Sequence, residues 1–353
     1  MNVVRYNPLL HRTAQLTAAA TLFLIFMGGL VTSHGAGMSV PDWPNSYGYN
    51  MFTFPVSKWV GGIFYEHTHR LMGTVVGVLS IALTIIAFKI EPRRWVRWLA
   101  ASVLGAVISQ GVLGGLRVVF VELNLAIIHA CVAQAFFCMA ALVAVVTSRW
   151  WIETSPAARI GSNRLVRLAA ISVLAIYLQL IVGAMMRHYQ AGLAIPDFPL
   201  NYGKWLPPTN SEELSQAYAS RAIEAIDVSN PNPSLGQVWL HFGHRIGALV
   251  ISLLLTWTIA YILINEKNAG IRRLAICLIT LLVCQITLGI LTVLMHKPAD
   301  IASFHVAAGA LTLMTTFVLL VRSMRLYSTV WRSDWPQSFE ISDLNPDKSF
   351  VPA

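Results

Sequence analysis

Four histidines, His69, His129, His244 and His305, each fall inside a long apolar run of this 353-residue chain. A polar, titratable side chain in such a run is costly and tends to mark function. All four lie roughly one to three turns from the same end of their runs, so their imidazoles should occupy similar depths. Two imidazoles facing each other across a helix bundle can supply both axial ligands of a haem iron. Zinc would ask for more nitrogen, sulfur or carboxylate ligands per site than one such pair offers. One histidine alone reads as a polar residue satisfying a neighbouring helix. Four at matched positions point to cofactor ligation.

The residues around them carry further chemistry. Arg70 and Arg245 each directly follow a candidate ligand and suit pairing with a carboxylate of the cofactor; Arg117 is a third cation of this kind. Glu66 stands three residues before His69, on the same helix face, where the second half of the chain has His241 before His244. A buried carboxylate beside a cofactor is a candidate acid–base or charge-stabilising group. It is equally a candidate structural partner for Arg70, four residues on. His67 falls about 200° from His69 on a helical wheel and points elsewhere. His34, His188 and His296 end apolar runs and read as structural, and His11 as solvated.

The elements that must position these groups are membrane-spanning. Hydrophobic residues make up 56% of the sequence and charged residues only 12%, about half the charge of a soluble domain. Eight segments are long and apolar enough to span: Ala14–Thr32, Val60–Phe88, Trp98–Leu116, Leu123–Thr147, Leu168–Met186, Gln237–Ile264, Leu274–Met295 and Ile301–Val321. The four histidines fall in the second, fourth, sixth and eighth. Of the 25 Lys and Arg, 17 collect on one side, at the N-terminus, in the short loops and in the tail. That side is cytoplasmic by the positive-inside rule, and an even number of spans puts both termini there. Met1 to Gln15 reads as a cytoplasmic stub without a cleavage site. The long loops, His34–Trp59 and Arg187–Gly236, then face outward. In them, Trp43 and Trp59 fit an aromatic belt, and Ser211–Asp227 an amphipathic interfacial helix or docking site.

The two halves repeat. Gly29-Leu-Val-Thr-Ser-His34 with Pro41-Asp-Trp-Pro and Tyr47-Gly48 recurs as Gly183-Ala-Met-Met-Arg-His188 with Pro196-Asp-Phe-Pro and Tyr202-Gly203. His69-Arg70 recurs as His244-Arg245, and Gln110 with His129 as Gln285 with His305, at separations of 19 and 20 residues. The expected fold is therefore all-α and integral to the membrane: eight transmembrane helices as two pseudo-symmetric, parallel four-helix bundles. The first half takes residues 1–148, a cytoplasmic linker 149–167, the second half 168–325 and a cytoplasmic tail 326–353. The cysteines, Cys131, Cys138, Cys277 and Cys284, form two pairs spaced by seven inside apolar runs. Two helical turns separate the members of a pair by roughly 10 Å, too far for a disulfide, and they read as buried small hydrophobes.

The net charge of +9 does not indicate nucleic acid, because the basic residues sit in short loops and build no stripe. A transporter built from parallel repeats, without haem, remains an alternative on these residues. So does a non-enzymatic diheme electron carrier resembling a membrane cytochrome b. A prenyl transferase is disfavoured, since no Asp-rich diphosphate–magnesium motif occurs in the loops.

Glu66-His67-Thr68-His69-Arg70 resembles the Glu-His-x-His-Arg motif of haem A synthases. The eight spans, the duplicated halves, the Pro-Asp-Trp-Pro loop and the four histidines are also similar to that family, over roughly Ala14 to Arg325. The resemblance implies oxidation of a ring methyl group of haem O to a formyl group, giving haem A for terminal oxidases. It implies a resident haem B on His244 and His305, substrate haem held by His69 and His129, and Glu66 as the catalytic carboxylate. It implies a multi-pass protein of the bacterial inner membrane with its haem sites toward the outer leaflet. Candidate partners are haem O and haem A, a haem O synthase, oxidase assembly factors and a second copy of the chain. Some members of the family carry a cysteine pair in an outer loop. This chain has no cysteine outside its spans, which excludes a thiol relay there and leaves the electron donor open.

Overall fold

Asn7 starts the first helix: its side chain accepts from the amides of Leu9 and Leu10, and Pro8 follows at the first helical position. From Leu16 onward the helix carries no charged residue and is mainly apolar up to the long-loop end. In the computed structural model, which describes residues 4–154, 163–221 and 233–327, Ser234 and Asn268 start two later helices in the same way, whereas those beginning at Gly62, Arg94 and Leu123 have no side-chain cap. The helices are α1 (Pro8–Ser33), α2 (Gly62–Ile90), α3 (Arg94–Phe120), α4 (Leu123–Val146), α5 (Arg149–Glu153), α6 (Asn163–His188), α7 (Ser211–Arg221), α8 (Leu235–Asn265), α9 (Ala269–Leu294) and α10 (Ala299–Tyr327). All but α5 and α7 are long and apolar enough to cross a membrane, eight among the described residues, and the chain is a multi-pass membrane protein.

Each predicted span lies within, or within two residues of, one observed helix. The extra turns lie mostly at the short-loop ends, where arginines cap carbonyls. Arg93 pairs with Glu91 and reaches the Val146 carbonyl at 3.0 Å; Arg272 reaches those of Leu263 and Glu266 at 2.6 and 3.2 Å. Hydroxyls inside the spans bond back to their own helix, as Thr13, Thr17 and Thr21 do along α1. No hydroxyl in that series is left unpaired in the apolar layer.

Contacts between helices close two rings. α1 packs on α2, α2 on α3, α3 on α4 and α4 on α1; α6 packs on α8, α8 on α9, α9 on α10 and α10 on α6. In each ring the two histidine-bearing helices, α2 with α4 and α8 with α10, are diagonal across the interior. The rings join through α1, α4, α6 and α10. Ile25, Phe137 and Ala310 form a core at that seam. Buried apolar cores are built from Leu10, Leu83, Ala100 and Val143 in one ring and Leu165, Ile262, Ile271 and Leu319 in the other. They lie toward the short-loop ends, away from the histidines.

Three expectations change. Cys277 and Cys284 are exposed on α9, on the outside of the bundle, whereas Cys138 is buried; only part of the cysteine set is core. Trp43 is not a free belt residue. Its indole lies where a Cβ on Gly115 of α3 would be, while Trp59 packs edge-on against His67 at 4.6 Å. The expected interfacial helix is α7, which ends at Arg221, and 222–227 lie outside the described residues. Its Leu214 and Ala217 pack on Ala194, Ile195, Tyr202 and Val238, so its apolar side is spent covering the second long loop. The predicted junction contains α5, with 155–162 outside the described residues, as are 328–353 of the tail.

Candidate functional site

Each imidazole of the four sits against a glycine of a neighbouring helix. A Cβ on Gly28 of α1 would stand 3.1 Å from His69 Cε1, and one on Gly183 of α6 3.2 Å from His244 Cε1. Gly114 of α3 and Gly289 of α9 meet His129 and His305 in the same way, at 3.4 and 3.1 Å. A methyl group at Gly28, Gly183 or Gly289 would press on the ring, so these three glycines keep imidazole seats open, while one at Gly114 would only touch His129 at ordinary contact distance. His69 interacts electrostatically with His129, and His244 with His305, across the two ring interiors. The structure thus brings together the pairs that the sequence matched.

Glutamines fix three of the four rings. With its amide oriented to satisfy its partners, Gln110 places its nitrogen 2.9 Å from His129 Nδ1 and 3.2 Å from the His129 carbonyl. Gln285 Nε2 lies 3.4 Å from His305 Nε2. Gln179 of α6 places its nitrogen 3.1 Å from His244 Nδ1 and 2.7 Å from the His244 carbonyl. Nothing pairs with His69 Nδ1, which is buried.

The long loops are clamped onto the histidine helices by two parallel networks. Asp42 accepts from the Tyr47 and Gly48 amides at 2.7 and 2.8 Å; Asp197 accepts from those of Tyr202 and Gly203, both at 2.8 Å. Tyr47 and Gly48, like Tyr202 and Gly203, adopt positive φ, which the glycine of each pair tolerates without cost. Burial alone would raise the Asp42 carboxyl, but the Gly48 and Tyr47 amides outweigh it and hold the group below its ordinary value. From the helices, Arg70 donates to the carbonyls of Val40, Asp42 and Asn45 and to Glu66 Oε1. Arg245 donates to those of Ile195 and Leu200 and lies 3.3 Å from His241 Nε2. The donors of these two arginines are largely taken by loop carbonyls, a role that the sequence analysis did not assign to them.

Glu66 and His241 occupy one place in this design. Glu66 Oε2 accepts from the Val40 amide at 2.8 Å and Oε1 from Arg70 at 2.7 Å. His241 Nδ1 accepts from the Ile195 amide at 3.2 Å and its Nε2 faces Arg245. Both are buried. The two residues perform the same anchoring, one with a negative charge and one without. His67 faces the first loop instead, 3.2 Å from Ser46 Oγ and packed on Phe54 and Trp59. His34 stacks on Tyr65 with centroids 4.0 Å apart.

Two cations near the histidines have no carboxylate in ion-pair range among the described residues. Arg117 donates to the Gly37 carbonyl at 2.7 Å and lies within electrostatic range of His69 and His129. Arg187, at the end of α6, crosses the seam to the Gly29 carbonyl and to Ser33 Oγ, and lies within range of His305. Guanidinium groups held inside a membrane protein without a counter-charge call for an anion. Sequence reasoning passed over Arg187 and Gln179. Both were legible as breaks in the repeat, since Arg187 replaces Ser33 and Gln179 is the lone amide in the fifth span.

Among the described residues, no three His, Cys, Asp or Glu side chains converge as a metal site. Two facing imidazoles therefore suit a metal that brings its own equatorial ligands. The open imidazole seats and the unpaired guanidiniums fit an iron porphyrin with carboxylate side chains.

Comparison with known proteins gives the same direction. A heme A synthase of Shewanella oneidensis is 25% identical over 331 residues, covering 85% of this chain and 92% of its own. One of Shouchella clausii is 26% identical over 328 residues, covering 88% and 97%. One of Beijerinckia indica is 29% identical over 265 residues, covering 71% and 68%. The family model described as COX15-CtaA, cytochrome oxidase assembly protein, matches residues 11–318, and with that match over most of its length the chain belongs to the COX15-CtaA family.

Proposed function

We propose that the chain is a haem A synthase, an oxidoreductase that converts a ring methyl group of haem O to the formyl group of haem A. The observation that carries this reading is the Glu66/His241 exchange. The second half anchors its loop and its arginine through an uncharged imidazole. The negative charge at Glu66 is therefore surplus to anchoring, and it stands one turn from His69. A carboxylate there can take a proton released as the methyl is oxidised or stabilise positive charge developing on its carbon.

In this reading His69 and His129 hold the substrate haem in the half spanning 1–148. His244 and His305 hold a resident haem B in the half spanning 168–325, with 149–167 as linker. The two halves descend from one duplicated unit. Haem B, when bound, supplies one-electron transfer. Arg117 and Arg187 answer the haem carboxylates, while Arg70 and Arg245 hold the loops that cap the sites. The long-loop side faces outward from a bacterial inner membrane and both termini face the cytoplasm. A haem O synthase and oxidase assembly factors are the partners that must deliver the substrate and take the product.

Pigment extraction from the purified protein tests the reading. Haem B together with haem O or haem A is expected. Haem B alone would favour a diheme electron carrier, and a spectrum with no Soret band would leave only a transporter.

The two unpaired arginines give a second test. A charge-assisted hydrogen bond contributes about 1.5–3 kcal/mol. Haem O with both propionates esterified should bind the native protein roughly 10–100-fold more weakly than free haem O, by Soret titration. In the Arg117→Gln, Arg187→Gln double variant, ester and acid should bind alike. An unchanged preference for the acid would place the carboxylates elsewhere.

A further inference from the structure

The helices of the seam touch beside the histidines. On α1, Gly28 seats His69, while its neighbour Gly29 faces α10. A Cβ on Gly29 would stand 3.0 Å from Ser303 Cβ and 3.1 Å from its Cα, so the two backbones meet with no room for a side chain on α1. Ser33 Oγ lies 3.3 Å from Ser303 Oγ, and Phe26 packs on Phe304 with ring centroids 4.7 Å apart. Ser303 and Phe304 are the two residues before His305. One pair of touching helices therefore joins the His69 seat in one half to a histidine of the other.

Arg187 pins this junction from a third helix. Its Nη2 donates to the Gly29 carbonyl and, at 2.6 Å, to Ser33 Oγ. Nε and Nη1 donate to none of the described residues. The crossing runs one way. Ser33 stands where the repeat has Arg187, and Arg117, the other cation near the histidines, donates within its own half to Gly37.

We infer that Arg187, an arginine of the resident half, is a positioning residue for the substrate half: held by a carboxylate of the resident haem, it fixes α1 and with it the seat of His69. A guanidinium carries five donors in a rigid fork, so Nε and Nη1 can serve an anion while Nη2 serves α1. Without the anion its charge is buried against neutral acceptors alone, which is costly. The competing arrangement turns it out toward headgroups, as arginines at span ends do. A resident carboxylate binds the inward arrangement and not the outward one, so it shifts the population toward the pinned junction. Substrate haem then meets a preformed ligand in protein already loaded with haem B. By linkage, substrate haem tightens haem B by the same factor.

The inference rests on the haem reading of the two halves, and the test separates the two. Full-length protein in detergent has its resident site filled with haem B or with haem B dimethyl ester. Haem O is then titrated into the other site and followed in the Soret region. Coupling between sites commonly amounts to about 5–150-fold, and haem O should bind that much more weakly beside the ester than beside the acid. In Arg187→Gln the two affinities should be equal and weak. Arg187→Lys keeps a charge for the carboxylate but lacks the fork that reaches α1 at the same time. It should hold haem B within a few-fold of native and still bind haem O weakly. A role in folding alone would not respond to esters on a haem bound in the other half. Equal haem O affinity beside acid and ester in the native protein, or a difference that persists in Arg187→Gln, would overturn the inference and leave the haem reading intact. So would native haem O affinity in Arg187→Lys. A native protein that takes up no haem would overturn both.

Discussion

Glu66→Gln and Glu66→His should both give folded protein that binds haem and forms little haem A. Histidine is the more telling of the two. The second half shows that an imidazole at this place accepts the loop amide and faces the arginine at normal distances. Glu66→His therefore keeps the geometry and removes only the charge. Glutamine keeps one acceptor but turns N–H groups toward Arg70, so part of the 2.7 Å contact is lost. Removing one member of a buried ion pair commonly costs about 3–5 kcal/mol. Here the cost should be smaller, because Arg70 keeps three carbonyl acceptors on the first loop. Loss of a proton-transfer group typically lowers a rate by about 10²–10⁴-fold. A fall of that size in haem A formed per bound haem O, with an unchanged Soret spectrum, is expected from both variants. Haem A formation within a few-fold of native in Glu66→His would assign Glu66 to anchoring alone.

The repeat explains why so much of this molecule could be read from its residues. Spans are dictated by the length of apolar runs, and the eight runs became eight helices with ends shifted by only a few residues. The placing of the histidine helices was legible because each histidine recurs with its neighbours in order, and the ring-like packing then puts α2 opposite α4 and α8 opposite α10. What escaped was the choice between two roles for one side chain. Arg70 beside His69 is equally suited to an anion or to a loop, and only the path of 40–45 past its guanidinium decides that it holds carbonyls. Exposure inside a membrane was also invisible. Cys277 and Cys284 are as apolar as Cys138, and nothing in their spacing says that α9 turns them outward. Arg187 escaped for a related reason. It ends a span, where arginines ordinarily snorkel to headgroups, yet it turns inward across the seam to α1.

Replacing the histidines one at a time should divide them two and two. His244→Ala and His305→Ala should lose the tightly held haem B almost completely, since each removes one of two axial ligands. His69→Ala and His129→Ala should retain haem B and fail to accumulate haem O or haem A. The helices themselves should survive all four changes. The apolar cores that hold each ring together lie toward the opposite ends, around Leu83 and Val143 in one half and Ile262 and Leu319 in the other. Alanine also leaves a ring-sized space beside a glycine, for instance Gly183 in the His244 variant. Free imidazole should fit that space and restore part of the haem binding, because it returns the lost nitrogen without a covalent link. Rescue by imidazole separates ligand loss from misfolding, which added imidazole would not repair. If His244→Ala kept its haem B and His69→Ala lost it, the resident and substrate sites would have to be exchanged between the halves. Glu66 would then stand beside the resident haem, and the charge argument for catalysis would fail with the assignment.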